Sequence, residues 1–512
     1  MSRRTLGRQK LKEAHLEWLA SVRQHALALV MQPLRVGSTA RLHGKAVGRE
    51  AGQAAGSGDR QGGEGPGGPG SAGDAVDLAT IEAALGGDRW RYAARAYDAR
   101  RFRSLMKWNG LLTDDDLERD ALIPEYAVAV WQQDAIAVYH RPVAAVGGPL
   151  GTAHELPLPE GGWEADRRLR RLARTAVRAV YALGLDVGLV RLALSPRGRP
   201  AVRGVDPFPA GLAGKYAAAL LTQGAAAIAA PRRVSTNVSN ADVVLGLDVE
   251  FVLTTPRGEL VPADRFLPRS GPAGHDAAVV EGRVVQALAE LRPAPSGEPR
   301  ELLANLQRAM RLAAARIPEP ALEWRAGSSP AAGVFTGGHI HLSGVPLTNE
   351  LLRTLDNYLA LPLSLLEDAP ARARRPAFGW LGNARRKAHG GFEYRTPASW
   401  LATPEVARGV IALAKLIASD HALLRERPLD APEMQLAYYQ ADKAKLRQAL
   451  PAWRRDIVRC PAYRRYEIEL EPFIELLESG WSWDEAADIR PAWGIVASLS
   501  QANLPHASLA AD

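Results

Sequence analysis

The chain has 512 residues, 47% apolar and 23% charged, a balance ordinary for a globular protein and long enough for about three domains. Its net charge of +8 accompanies abundant arginine and alanine, which genomic composition produces as readily as a polyanionic partner does. Cys460 is the single cysteine, which excludes disulfides within the chain and cysteine-based zinc sites, and nowhere do about 18 apolar residues run together. The expectation is a cytoplasmic protein that is neither secreted nor membrane-spanning.

Residues 5–33 show helical spacing (Leu11, Leu16, Leu19, Val22, Ala26, Leu29) with Arg and Lys between, and residues 1–47 read as a basic helical segment. Residues 48–74 collapse to Gly, Ala, Ser, Gln and Pro, a composition that buries no apolar surface and reads as a disordered linker. Residues 75–235 read as an α/β accessory domain: a helix over 78–85, strands at 127–131 and 135–139, and a helix over 166–183 whose arginines suit a solvated face. A strand to Leu194, a turn at Ser195–Gly198 and a strand from Pro200 close it. This ending resembles the last part of the ATP-grasp fold, in degenerate form: Arg191 and Gly204 stand where that family places its acids, and only Asp206 remains. After the helix ending near Ala230, the polar turn 235–240 marks a new domain, 236–410.

The apolar run Ala241–Leu253 carries two acids, Asp248 and Glu250, two positions apart and therefore on one strand face. Adjacent carboxylates repel unless a cation, an Arg or a shared proton lies between them. An edge strand with a wet face also tolerates such a pair, but the pattern repeats in Glu290-Leu-Arg292, His339-Ile-His341 and Glu393-Tyr-Arg395, so one sheet with a lined face is expected. Thr255–Gly258 reads as a hairpin turn with an antiparallel return over 260–266, and helices are expected over 298–314 and 349–366. Arg292 offers a planar fork for a carboxylate or phosphate, although a surface ion pair explains it equally. The basic stretches 371–376 and 382–387, with Arg375 and Arg386, suit the phosphates of a metal-bound polyphosphate. Residues 403–512 read as mostly helical, with helices over 404–417, 433–450 and 466–479 and aromatics placed for packing, and 411–512 as the helical C-terminal region.

Gly-Leu-Asp-Val-Glu-Phe at 246–251, Glu-Leu-Arg-Pro at 290–293, Gly-Gly-His-Ile-His at 337–341 and Gly-Phe-Glu-Tyr-Arg-Thr-Pro-Ala-Ser-Trp-Leu at 391–401 occur in an order that resembles the COOH-NH2 ligase type 2 amidoligases. These belong to the glutamine synthetase and glutamate-cysteine ligase superfamily. The resemblance implies an α+β fold: a curved antiparallel sheet of glutamine synthetase-like type with helices on its back, after a mixed α/β accessory domain and before a helical C-terminal region. It implies ATP-dependent joining of a carboxylate to an amine through an acyl phosphate, with ATP as co-substrate and two or three Mg²⁺ ions. By position, Asp248, Glu250, Glu290, His339 and Glu393 face the metals, and Arg395, with Glu393 and Glu250, is catalytic. Arg395, Arg375, Arg386 and His341 meet phosphate, Arg292 and Arg325 meet the carboxylate substrate, and Asp276 stands near an acid of the family. The implied partners are a small-molecule or peptide carboxylate and an amine; a homo-oligomer is compatible, whereas membrane and nucleic acid are not implied. The rival readings are a guanidino kinase-like enzyme of the same fold and a non-catalytic scaffold or nucleic-acid-binding protein with decayed ATP-binding domains.

Overall fold

A computed structural model describes residues 3–31, 87–117, 124–141, 153–229, 243–280 and 282–495. The linker expected at 48–74, the helix at 78–85 and the turn at 235–240 lie outside the described residues.

The first unit is a six-stranded sheet in the order β1-β6-β5-β2-β3-β4. Its strands are β1 (Leu112–Thr113), β2 (Glu125–Trp131), β3 (Asp134–Arg141), β4 (His154–Glu155), β5 (Val187–Leu194) and β6 (Pro200–Asp206). All neighbours run antiparallel except β1 and β6, which are parallel. Both faces are covered, which is why β2 is apolar on both sides rather than alternating with polar residues. On one face Val128 and Val130 meet helices α2 (Ala99–Trp108) and α3 (Arg167–Ala182) through Phe102, Leu105, Leu172 and Val180. On the other, Ala127 and Ala129 meet α1 (Arg3–Met31) and α4 (Ala213–Ala229) through Trp18, Leu19, Val22 and Tyr216. Asp166 caps α3 by accepting hydrogen bonds from the amides of Arg168 and Leu169. Arg191 pairs with Gly204 across β5 and β6, and its guanidinium lies over that glycine, where a side chain would collide with it.

The second unit is an eight-stranded antiparallel sheet curled into a half-barrel, with the path β13-β14-β12-β7-β10-β9 and β8 and β11 also paired to β7. Its strands are β7 (Val244–Thr254), β8 (Leu260–Val261), β9 (Ala273–Val280), β10 (Arg283–Leu291), β11 (Glu323–Arg325), β12 (Gly338–Ser343), β13 (Ala384–Arg386) and β14 (Phe392–Tyr394). Leu247, Val249, Phe251, Ala289, Ile340, Phe392 and Tyr394 face the main core behind the sheet. Helices α5 (Pro299–Arg316), α6 (Asn349–Leu355), α7 (Leu361–Leu366), α8 (Pro404–Asp420), α9 (Pro432–Gln440), α10 (Leu450–Arg459) and α11 (Pro461–Ser479) complete that core. The chain is therefore α+β, with the helical C-terminal region packed behind the sheet.

Three local expectations change. The return after the hairpin turn is strand only at Leu260–Val261, because Ala263–Arg265 forms a 3₁₀ turn. The helix over 349–366 is interrupted by a π turn at Asp356–Ala360, where buried Asp356 accepts hydrogen bonds from Tyr181 and Tyr394, each at 2.7 Å. The helix over 433–450 breaks at Ala441, which takes the left-handed conformation at φ 58°. Among the described residues no helix is long and apolar enough to cross a membrane.

Polar ties join the two units. Arg89 donates to both carboxylate oxygens of Asp430 at 2.8 and 3.0 Å, and Arg353 reaches Asp186 and the Leu185 carbonyl. Tyr181 of α3 reaches Asp356, and Arg178 donates to the Pro376 carbonyl while stacking over Trp380. The open face of the second sheet thus looks onto α3.

Candidate active site

Alternation on adjacent strands brings the polar pairs into one row. Glu290 of β10 stands opposite Glu250 of β7, Asp248 opposite His339 of β12, His341 opposite Glu393 of β14, and Glu393 opposite Arg385 of β13. Asp276 joins from β9. Ligand atoms within 4.8 Å of one another form two groups: Asp248 with His341 and Glu393, and Glu250 with Asp276 and Glu290.

In the first group His341 Nε2 lies 2.9 Å from Asp248 Oδ2. Burial alone would raise the Asp248 carboxyl, but the His341 hydrogen bond and nearby cations hold it below the usual range. Glu393 is almost fully buried in a cationic cage: Arg395 pairs with Oε1, Lys387 Nζ is 2.8 Å from Oε2, Arg385 is 3.7 Å away and His339 Nδ1 is 3.3 Å from Oε1. Burial pushes its carboxyl up, yet Arg395 and Lys387 outweigh that and keep it low. His339 is buried among Arg395, Arg374 and Arg385, and burial first, then their charge, drives it well below its ordinary value, so it is neutral.

In the second group burial pushes the Glu250 carboxyl up to about 7, even though Glu250 Oε2 accepts a 2.7 Å hydrogen bond from the Gly337 amide. Glycine is required at 337, because a Cβ there would overlap the His339 ring. Glu290 pairs with Arg292, for which Gly274 clears room on the neighbouring strand.

A cavity of about 790 Å³ lies between the units. Glu250, Asp276, His339 and Arg395 line it from the sheet, Arg374, Phe378 and Trp380 from one side, and Trp163, Arg174 and Arg178 from the first unit. No side chain of the first acid group lines it; Arg385 and Arg395, which do, both approach Glu393.

The donor chemistry fits divalent cations. Three carboxylates facing one another, with one raised to about 7, form a site for a hard cation with oxygen ligands; two carboxylates and an imidazole suit Mg²⁺ or Mn²⁺. Of the residues singled out in the sequence, Asp248, Glu250, Glu290, His339, Glu393 and Arg395 converge here. His341, expected at phosphate, sits in the first acid group, and Asp276 sits in the second.

Others lie elsewhere. Arg375, expected at phosphate, is 1% exposed and does not line the cavity; its guanidinium bonds Glu367 at 2.7 Å and the Tyr438 carbonyl, and it stacks over the Tyr438 ring. That expectation is corrected: the basic loop folds inward because Glu367 waits there. Arg325 lies beyond Val252 and pairs with Glu323, outside the cavity lining. Arg386 lines the cavity but is tied to Asp134. The α3 arginines do not form a simple solvated face, since Arg174 and Arg178 wall the cavity. Lys387, Arg385 and Arg374 were not distinguishable in the sequence from their basic neighbours; register opposite Glu393 is the signal that singles out Arg385.

None of the curated proteins compared with the chain matches it. Among solved structures, the chain is similar to a bifunctional glutathione synthetase from Pasteurella multocida, at 12% identity and a TM-score of 0.31, over 50% of this chain and 52% of that one. The chain thus spans about half the length of that enzyme. It is also similar to the ligase PafA in complex with the prokaryotic ubiquitin-like protein Pup, at 13% identity and a TM-score of 0.29, over 46% of this chain and 65% of that one. A glutamine synthase homolog shows 15% identity and a TM-score of 0.23, over 62% and 76%. Residues 245–495 match the phage phiEco32-like COOH.NH2 ligase-type 2 family, and this part of the chain, with the second sheet, its two acid groups and the C-terminal helices, belongs to that family.

Proposed function

We propose that the protein is an ATP-dependent carboxylate–amine ligase working on the open face of the second sheet. The observation that carries this reading is the pair of acid groups side by side on that face, next to a cavity rimmed by arginines. Asp248, His341 and Glu393 would hold one Mg²⁺, and Glu250, Asp276 and Glu290 another. Bound there, the ions would neutralise the phosphate oxygens and draw charge from the leaving ADP.

The chain's own groups then have assignable tasks. Arg395, whose guanidinium pairs with Glu393, would meet the transferring phosphoryl group. Neutral His339 adds no charge, and its ring lines the cavity beside Glu250. A carboxylate oxygen of the donor attacks the γ-phosphorus and the bond to the bridging oxygen of ADP breaks, giving an acyl phosphate. The amine nitrogen attacks the acyl carbon, phosphate leaves, and the nitrogen loses a proton. The first unit closes the cavity over these groups and limits water, which would hydrolyse the acyl phosphate.

The test is phosphate release from Mg-ATP by purified protein across pools of carboxylates and amines, beside a Glu250→Gln, Glu393→Gln double variant. Release that requires a carboxylate and an amine, yields an amide and disappears in the double variant supports the ligase. Release with a guanidino acceptor and no amide points to a kinase of the same fold, and no release in any pool points to a scaffold.

A further inference from the structure

Arg174 of α3 and Arg385 of β13 face the same cavity from different units. The Arg385 side chain is 49% exposed, and Glu393, the acid paired with it among the described residues, is 3.7 Å away, too far for a hydrogen bond. The positive charges of Arg395 and Arg174 both act on Arg385 against its own charge. Its strand is held by the ladder to β14, and the neighbouring Arg386 donates to Asp134 of the β2–β3 hairpin at 2.8 and 3.2 Å. Glu164 engages Nε and Nη2 of Arg174, at 3.2 and 2.9 Å, and leaves Nη1 for another acceptor. Two guanidinium groups brought together from separate units, neither one saturated by protein acids, form a natural seat for an anion.

On the ligase reading above, the phosphates of the nucleotide fall to Arg395 and the acid-bound cations. We propose that Arg174 and Arg385 hold a second anionic group of the carboxylate donor, remote from the carboxylate that is activated, so that the first unit selects acidic donors. The shared chemistry is a carboxylate, carried either by a dicarboxylic amino acid or by the free C-terminus of a peptide.

The experiment measures Mg-ATP-dependent phosphate release, with the same amine pool present throughout, for four donor pools: dicarboxylic amino acids, short peptides with a free C-terminus, the same peptides amidated, and simple monocarboxylic acids. Each is run with wild type, Arg174→Ala and Arg174→Lys. Arg174 is exposed and outside the cores, so both variants fold as wild type does. The expected result is a KM for the acidic donor raised about tenfold to a hundredfold in Arg174→Ala, partly restored in Arg174→Lys, with kcat and the KM for ATP unchanged. Loss of activity on amidation identifies the peptide terminus as the group held; full activity with dicarboxylic amino acids identifies the small molecule. A change in the KM for ATP instead, or release driven equally by monocarboxylic acids and insensitive to Arg174, overturns the assignment and leaves the ligase standing. No release from wild type with any pool overturns both.

Discussion

The two sheets use similar strands for opposite ends. In β2 of the first sheet every position from Tyr126 to Trp131 is buried, Val128 and Val130 against one helix pair and Ala127 and Ala129 against another. In β7 of the second sheet Leu247, Val249 and Phe251 are buried in the same way, but Asp248 and Glu250 occupy the other face, among the acids and His341 of the two groups. That face gives up hydrophobic stabilisation and holds charge in a poorly solvated place, as the raised Glu250 carboxyl shows. On the proposed reading the difference marks where the molecule would do chemistry: the first sheet is built for packing and lends a wall, and the second would leave one face open for ions and substrate.

The sharpest way to break this contrast is to neutralise the open face. Glu393→Gln should lower Mg-ATP-dependent turnover about a hundredfold or more, measured as phosphate release, while the fold persists. A matching change behind the sheet should do the reverse. Arg375→Ala leaves Glu367 buried without its partner and should cost about 3–5 kcal/mol in urea unfolding, with the KM for ATP unchanged in whatever remains folded. If Arg375→Ala instead raised the KM for ATP at full stability, the phosphate role first expected for it would return.

A pH experiment probes the junction between the sheets. Burial pushes the Asp356 carboxyl up to about 6 from 3.8, against the hydrogen bonds donated by Tyr181 and Tyr394. A raised folded value means stability that is fully present below about 3.8 and is lost as pH rises through about 6. The melting temperature of wild type relative to Asp356→Asn should therefore fall between pH 4 and about 6.5 and level off above; a flat difference would show that the carboxylate is not desolvated there. The smallest effect is expected at Arg386, whose pair with Asp134 is half-exposed: Arg386→Ala should change stability by at most about 1 kcal/mol.

The strand pairs of the second sheet were legible because a period of two is a local property, and 248/250, 339/341 and 393/395 each declare one face. Their grouping was not, because it depends on register. His341 reaches Asp248 and Glu393 only because β12 lies between β7 and β14, and Asp276 joins Glu250 only because β9 is the outer neighbour of β10. Arginines were the least legible. Arg374, Arg375, Arg385 and Arg386 read alike in the chain, yet Arg375 is buried away from the cavity lining, while Arg374 lines it from a buried position, Arg385 lines it beside Glu393 and Arg386 lines it while paired with Asp134. Arg174 looked like a residue of a solvated helix face because nothing local records that the second sheet stands opposite α3.

The most direct test of the open face is Mn²⁺ titration followed by electron paramagnetic resonance, with wild type beside Glu393→Gln and Glu290→Gln. Two bound ions in wild type and one in each variant are predicted, with Mg²⁺ competing for both. No binding at millimolar Mn²⁺, or binding that both variants retain in full, would contradict the account.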